Sequence, residues 1–148
     1  MTILRLNYAT ELRYGVLVDI GQKVLAGEPI DLAMGHLNAI WQADANAMAL
    51  EALAHVASPP CVWNLAGPEL LSVRRIAQQF GELLQRPVQY TGTEGAEALL
   101  NNGQLAHRVC GYPRVGVQQM VRWIAHWLSH SGTTLNKPTH FESREGKF

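Results

Sequence analysis

Apolar side chains along this chain switch repeatedly between short runs and stretches with helical spacing. Residues 2–6 alternate apolar and polar positions with a period of two, which predicts a strand. Residues 16–25 place apolar side chains on one helical face, and Gly27 marks the end of that helix. Further short apolar runs predict strands at residues 30–34, 39–41, 61–65 and 87–90.

Later segments carry helical periodicity as well. The clearest, residues 73–84, begins after Ser72, which is the predicted N-cap. Residues 117–128 predict the last helix, and residues 96–109 predict a further one that is interrupted at 101–103.

Asp44 is placed to cap one more helix, because its carboxylate can accept from the free N–H groups of a first turn. The predicted buried stripe of that helix consists of Met48, Ala52, Leu53 and Val56.

Short strands that alternate with about five helices predict an α/β protein. From residue 132 onward the chain is polar and shows no periodicity. We therefore expect one domain over residues 1–131 and a polar, flexible tail over residues 132–148.

The charge balance excludes several classes of partner. Lysine plus arginine and aspartate plus glutamate number 12 each, so no net charge attracts nucleic acid or an anionic membrane. No apolar run reaches the roughly 18 residues of a membrane span, and the N-terminus lacks a signal-peptide pattern. We expect a cytoplasmic protein with no nucleic-acid and no membrane partner.

The sequence lacks the usual catalytic motifs. It contains no GxGxxG turn for a pyrophosphate and no P-loop. None of the four tyrosines has a lysine four residues later, so no nearby cation can lower a tyrosine pKa from about 10. We predict no catalytic residue and no cofactor-binding residue in this chain.

The spacing of the cysteine and histidine residues gives little indication of a metal site. Cys61 and Cys110 form no CxxC motif, and Cys61 lies in an apolar run typical of a core thiol, with a structural disulfide as the alternative. His126 and His130 either share a metal or are exposed helix-end residues, and no third ligand is marked. We predict no metal site.

Four stretches of the sequence carry recognisable motifs in a fixed order along the chain. They are ILRLNY at residues 3–8, NAIWQADANAMA at 38–49, VWNLAGPELLSVRRIA at 62–77, and a Gly-aromatic-x-Pro turn followed by a helix at 111–127. Together they resemble the C-terminal part of the extended short-chain dehydrogenases/reductases, the NAD-dependent sugar epimerases and dehydratases. Asn64, Gly67 and Ser72 match the third motif of that family, and Asp44 matches the capping aspartate of its second.

The resemblance implies a C-terminal fragment of an extended Rossmann-type fold that clasps the substrate. On this basis the family's glycine fingerprint and Tyr-x-x-x-Lys pair would lie upstream of the first strand. We therefore expect a truncated form that binds no cofactor and is inactive alone, whereas the full-length enzyme uses NAD or NADP.

The resemblance also suggests which residues contact a substrate. In the family, the asparagine after the sixth Rossmann strand commonly contacts the substrate, and Asn7, followed by Tyr8, occupies that place; the equal alternative is that Asn7 only caps the strand end. Where family members often carry an arginine for a diphosphate, this chain has Leu37 and Asn38, so a nucleotide-diphosphate sugar is in doubt. His36 either lines a pocket or is a polar loop residue. The predicted substrate-binding set is Asn7, Tyr8, His36 and Asn38.

Two functions follow as hypotheses. The chain is either the substrate-binding portion of an NAD(P)-dependent sugar epimerase, dehydratase or reductase, or a non-enzymatic binding or regulatory module derived from that family. A third interpretation, an unrelated α/β domain, requires four coincidences. The expected partners are a sugar or related carbonyl/hydroxyl compound and a second copy of the chain. We expect a homodimer to form through the edge of strand 2–7 or the helix at 16–25, both left uncovered without a cofactor half.

Overall fold

Five α-helices and eight short strands alternate along residues 1–143, the part of the chain that the computed structural model describes. The strands are β1 (Thr2–Leu6), β2 (Ala9–Thr10), β3 (Ile30–Asp31), β4 (His36–Leu37), β5 (Ile40–Trp41), β6 (Cys61–Leu65), β7 (Leu71–Ser72) and β8 (Tyr90–Thr91). The helices are α1 (Val16–Ala26), α2 (Gln42–Glu51), α3 (Val73–Leu84), α4 (Gln104–Cys110) and α5 (Val117–Ser129). The predicted α/β class with five helices is confirmed.

The strands pair two by two instead of forming one wide sheet. β1 and β6 run parallel over five residue pairs, from Thr2 opposite Cys61 to Leu6 opposite Leu65. Two further pairs, β2–β5 and β3–β8, are also parallel, and β4–β7 is antiparallel. Because parallel neighbours need a long crossover, the helices lie between the paired strands in sequence.

The larger hydrophobic core is built from three helices. The apolar faces of α1, α3 and α5 bury side chains such as Ile20, Phe80 and Ile124, each with no exposed surface. Gly27 ends α1 in the left-handed conformation, as its sequence position predicts. The Ser72 hydroxyl accepts from the backbone N–H of Arg75 at 3.4 Å, so the predicted N-cap of α3 is confirmed.

A second core lies on one face of the β1–β6 pair. Trp63 and Leu65 of β6 are almost fully buried there, against Met48 of α2 and Ala106 of α4. The opposite face carries Ile3 and Val62, which are 38% and 39% exposed. This second core holds the carboxyl ends of β1 and β6 in place, and the candidate site lies at those ends.

The prediction for α2 is wrong in two respects. The helix begins at Gln42, so Asp44 lies within its first turn and does not cap it. Instead, the buried carboxylate of Asp44 accepts from the backbone N–H of Val115 at 3.0 Å and holds the connection between α4 and α5. The helix ends at Glu51 and a 3₁₀ turn follows (Ala52–His55). Of the predicted stripe, Met48 and Ala52 are buried, whereas Leu53 and Val56 are 70% and 62% exposed.

The helix predicted at residues 96–109 is limited to α4, which starts at Gln104. Side-chain amides compete for the backbone of the preceding residues. Asn38 donates to the carbonyl of Asn101 at 2.7 Å, Asn64 donates to the carbonyl of Asn102 at 3.1 Å, and the Asn102 side chain accepts from the N–H of Gln104 at 3.0 Å. These bonds hold residues 101–103 in a non-helical conformation ahead of α4.

Residues 132–143, called the strap below, contain no helix or strand but lie against α1. The ring of Phe141 is 1% exposed, and Thr139 donates both its N–H and its hydroxyl to one carboxylate oxygen of Asp19, each at 2.6 Å. Lys23 pairs with Glu142. The sequence predicts a flexible tail here, whereas the structure anchors this part of it; residues 144–148 of that tail lie outside the described residues.

Among the described residues, β1 and β6 each have one unpaired edge. Within residues 1–143, β1 pairs only with β6, and Leu6 at its end is 57% exposed. The prediction that α1 also offers an uncovered apolar face is wrong, since Val16, Ile20 and Val24 are at most 1% exposed beneath α3 and α5. No described helix is long and apolar enough to cross a membrane.

Candidate functional site

The candidate site lies where β1 and β6 end. Parallel strands bring their carboxyl ends to the same edge, which is where α/β folds commonly bind ligands. Asn7 follows β1, and Ala66 and Gly67 follow β6. The backbone N–H of Asn7 donates to the carbonyl of Leu65 at 3.0 Å and so continues the strand ladder into the site.

Asn38 connects the segments that meet at this edge. Its side chain is 6% exposed and accepts from the Asn7 amide at 2.7 Å. The Asn38 amide donates to the carbonyls of Gly67 at 3.1 Å and Asn101 at 2.7 Å, and the N–H of Asn101 donates back at 3.3 Å. One buried amide therefore fixes four chain segments, and a buried polar group with all partners made is a rigid element.

Gly67 allows this close approach. A Cβ atom at this position would lie 1.9 Å from the carbonyl oxygen of Ala39. Only glycine lets the turn after β6 pass that close to the backbone beside Asn38. This close contact explains why the third sequence motif has a glycine at this position.

Two cavities adjoin the Asn7–Asn38 pair. The first, called the Asn7 cavity, has a volume of about 580 Å³ and is lined by Leu6, Asn7, Tyr8, Ala9, Tyr14, Gly15, Val16, Leu99 and residues 137–140 of the strap. The second, called the Asn38 cavity, has about 390 Å³ and is lined by residues that include Asn38, Gly67, Asn101, His107 and Tyr112. Both volumes lie in the range of small-molecule sites.

Tyr8 is held in a left-handed backbone conformation, with φ at 42°. Such a conformation is uncommon for a bulky residue and persists where surrounding contacts enforce it. Burial raises the pKa of its phenol, and the negative charge of Glu142 raises it further. Tyr8 is therefore a neutral phenol near neutral pH, able to donate and accept hydrogen bonds but unsuited to proton abstraction.

The four predicted substrate residues fall into two groups. Asn7 and Asn38 are in direct contact, and Tyr8 is the next residue in the Asn7 cavity. His36 lies in β4 opposite Ser72 and is absent from the lining of both cavities. The role of all four in substrate binding remains a prediction.

Other residues near the site carried no sequence signal. His107 is 8% exposed and donates from Nε2 to the carbonyl of Ala66 at 2.9 Å, with its ring 5.1 Å from that of Tyr112. Lys137 and His140 reach the Asn7 cavity from the strap. These residues are far apart in the sequence and come together only on folding, so hydrophobic periodicity cannot predict that they line the cavities.

The described residues do not fit a dinucleotide. A pyrophosphate needs a glycine-rich turn between a strand and a helix, so that backbone N–H groups can approach it. The β2–α1 connection has Gly15 as its only glycine, and β5 and β7 lead directly into α2 and α3. The β8–α4 connection contains Gly92, Gly95 and Gly103, but they are spread over twelve residues without GxGxxG spacing and form no tight turn. No step that involves NAD is therefore assigned to residues 1–143.

The remaining candidate groups lie away from the cavities. The ring centroids of His126 and His130 lie 4.1 Å apart, with the rings tilted by 38°. The Nδ1 of His130 donates to the carbonyl of His126 at 2.8 Å, a contact expected at a helix end. Among residues 1–143, no three histidine, cysteine or acidic side chains group as metal ligands would. Cys61 and Cys110 are free thiols. Burial raises the pKa of the Cys110 thiol, and the negative charge of Glu51 raises it further.

Comparison with known proteins identifies the fold. No family profile and no curated protein matches the sequence. Solved structures do match: UDP-glucuronic acid 4-epimerase from Bacillus cereus in complex with NAD superposes with a TM-score of 0.70 over 87% of this chain, at 13% identity. UDP-glucose 4-epimerase from Thermotoga maritima with UDP-glucose gives 0.64 over 88% at 14% identity, and the Thermus thermophilus enzyme with NAD gives 0.61 over 83% at 15%.

The chain spans under half of these relatives, covering 43%, 46% and 44% of their respective lengths. At such low identity the match establishes the fold. The chain therefore has the fold of part of an NAD-dependent UDP-sugar epimerase, and the resemblance seen in its four sequence motifs is confirmed at that level.

Proposed function

We propose that this chain is the C-terminal, substrate-binding part of an NAD(P)-dependent epimerase, dehydratase or reductase of the extended short-chain dehydrogenase/reductase family. One observation carries the proposal: the Asn7–Asn38 pair lies at the carboxyl ends of β1 and β6, in a fold that matches nucleotide-sugar epimerases. Residues 1–131 form the substrate-binding domain in this proposal.

The substrate is a sugar or a related hydroxyl/carbonyl compound. Amides and phenols suit such ligands, because each offers both a donor and an acceptor to a hydroxyl group. Asn7 and Tyr8 line a cavity of about 580 Å³ and can supply these groups. Leu37 and Asn38 stand where an arginine would grip a diphosphate, so a compound smaller than a UDP-sugar is favoured.

The chemistry itself belongs to groups outside the described residues. Tyr8 is a neutral phenol, and no strand-to-helix connection within residues 1–143 has the GxGxxG spacing of a dinucleotide site. We propose that NAD or NADP and the acid/base pair are supplied by another polypeptide segment, and that the chain alone is inactive. The two free thiols favour a reducing compartment such as the cytoplasm.

Self-association is part of the proposal. The outer edge of β1 is unpaired among the described residues, and Ile3, Leu6 and Val62 expose apolar side chains on the β1–β6 pair. An open strand edge favours pairing with another chain, and a symmetric dimer is the commonest result.

The coding DNA beside this gene tests the proposal. A glycine fingerprint and a Tyr-x-x-x-Lys pair encoded upstream, in frame or as a neighbouring gene, are expected. Co-expression of that product with this chain should give NAD(P)-dependent turnover that neither part gives alone. If no such sequence exists in the genome, the chain is a non-enzymatic binding or regulatory module.

A further inference from the structure

We propose that the strap makes the Asn7 cavity a site for an anionic sugar, with Lys137 as the cation that binds its phosphate or carboxylate. Lys137 and His140 both line this cavity, together with Asn7 and Tyr8. This inference rests on the proposed function and specifies the class of substrate.

The position of Lys137 is fixed by its neighbours in the strap. Two residues later, Thr139 makes two hydrogen bonds of 2.6 Å to Asp19 of α1. The backbone N–H of Leu135 donates to the carbonyl of Arg13 at 3.0 Å, and Phe141 is buried beside α1. Lys137 therefore lies between two anchored points, and less chain entropy is lost when a ligand binds to it.

The charges around the Asn7 cavity favour an anion. Its lining contains no aspartate or glutamate, and Lys137 is its only lysine or arginine. Lys137 also lines a neighbouring cavity beside α1 with Asp19, Glu28 and Glu142. Of these, Asp19 accepts from Thr139, and Glu142, whose charge also acts on Tyr8, pairs with Lys23. An exposed lysine with an anchored backbone, beside the Tyr8 phenol and the Asn7 amide, suits a polyhydroxyl compound that carries one anionic group.

This arrangement also accounts for a gap in the sequence motifs. The family's arginine before the second motif is replaced by Leu37 and Asn38, and the Asn38 side chain is committed to backbone groups. Lys137 supplies positive charge to the Asn7 cavity from the strap. A lysine acts as a point charge without the fork geometry of arginine, so it accepts a monophosphate or a carboxylate equally well.

Isothermal titration calorimetry of the whole chain tests the inference with three probes: glucose 1-phosphate, glucuronate and glucose. We expect the two anions to bind more tightly than glucose. Lys137→Gln should weaken binding of the better anion by about tenfold, because one charged hydrogen bond is lost. Lys137→Arg keeps the charge and should restore most of the affinity.

Arg122→Gln is the matched control. Arg122 is exposed on α5 and outside the lining of the Asn7 cavity, so its loss changes the net charge equally without changing binding. If glucose binds as tightly as the anions, or if Lys137→Gln has no effect, the anionic class is wrong while sugar binding itself stands. If no probe binds, both this inference and the sugar-binding proposal fail.

Discussion

At the scale of single residues, Asn7 and Asn38 form one hydrogen-bonded pair but have different tasks. Asn38 is buried and satisfies the carbonyls of Gly67 and Asn101 and the backbone N–H of Asn101. Asn7 is half-buried and reaches the cavity. Asn38 therefore has a structural role, whereas Asn7 is the residue placed to contact a ligand.

Asn7→Ala should weaken binding of a sugar ligand by about tenfold and leave folding largely intact, since a hydrogen bond to the ligand is lost. Asn38→Ala should instead lower the free energy of unfolding by about 2–3 kcal/mol, because it leaves buried backbone groups unpaired. Calorimetry and urea unfolding of both variants check this. Unchanged binding in Asn7→Ala would give Asn7 a purely structural role.

Asp19 gives the strap a pH dependence. Burial raises the pKa of its carboxyl above the ordinary value of about 3.9, and Glu142 adds to this, whereas the Thr139 hydrogen bonds and Lys23 oppose it. The folded state thus holds the proton more tightly than the unfolded state. Stability from this group is present at low pH and is lost as pH rises through the raised pKa.

Asp19→Asn removes that titration but keeps an acceptor for Thr139. Urea midpoints of both proteins at about pH 4 and about pH 7 should show the wild type losing stability relative to the variant as pH rises. A difference that stays constant, or shifts in favour of the wild type at pH 7, contradicts the assigned direction.

At the scale of secondary-structure elements, α3 shows how an amphipathic helix can be predicted and tested. Phe80 has no exposed surface, whereas Leu83 on the other face is 49% exposed. Phe80→Ala should lower the free energy of unfolding by about 3–5 kcal/mol, since it leaves a cavity among α1, α3 and α5. Leu83→Ala is the control and should change it by less than about 0.5 kcal/mol. Thermal or urea unfolding measures both.

The helices with long apolar stripes could be predicted from the sequence, because their burial follows the 3.6-residue period. α1, α3 and α5 have the expected positions, and Ser72 and Gly27 act as the expected ends. α2 and α4 differ because tertiary contacts override local pattern. The Asp44 carboxylate binds the backbone at Val115, and side-chain amides of Asn38 and Asn64 take the carbonyls before α4.

The candidate site could be predicted only where a motif marks it. Asn7 follows the first predicted strand and Asn38 is the first residue of the second motif, so the sequence indicates both residues but not their contact. His107 and Lys137 come from segments far along the chain, and no local pattern connects them with β1. The strap was predicted to be flexible since its polar composition hides one buried anchor, Phe141.

At the scale of the whole molecule, the open edge of β1 predicts self-association. Light scattering at tens of micromolar should give the mass of a dimer, through pairing of β1 with its copy. Ile3→Lys places a charge beside this edge and should favour the monomer, whereas Leu83→Lys, a matched change on exposed α3 surface, should not. A monomer mass for the unaltered chain, with β1 amides protected from exchange, contradicts the prediction.

The central claim is that this chain binds the sugar but not the dinucleotide. An NMR titration of the isotope-labelled chain tests it most directly, with glucose 1-phosphate in one arm and NAD⁺ in the other. We predict that the sugar phosphate shifts the amide signals of Asn7, Tyr8 and Asn101, and that NAD⁺ shifts none of them at comparable concentration. Micromolar binding of NAD⁺, or sugar-induced shifts confined to residues remote from Asn7, would contradict the account.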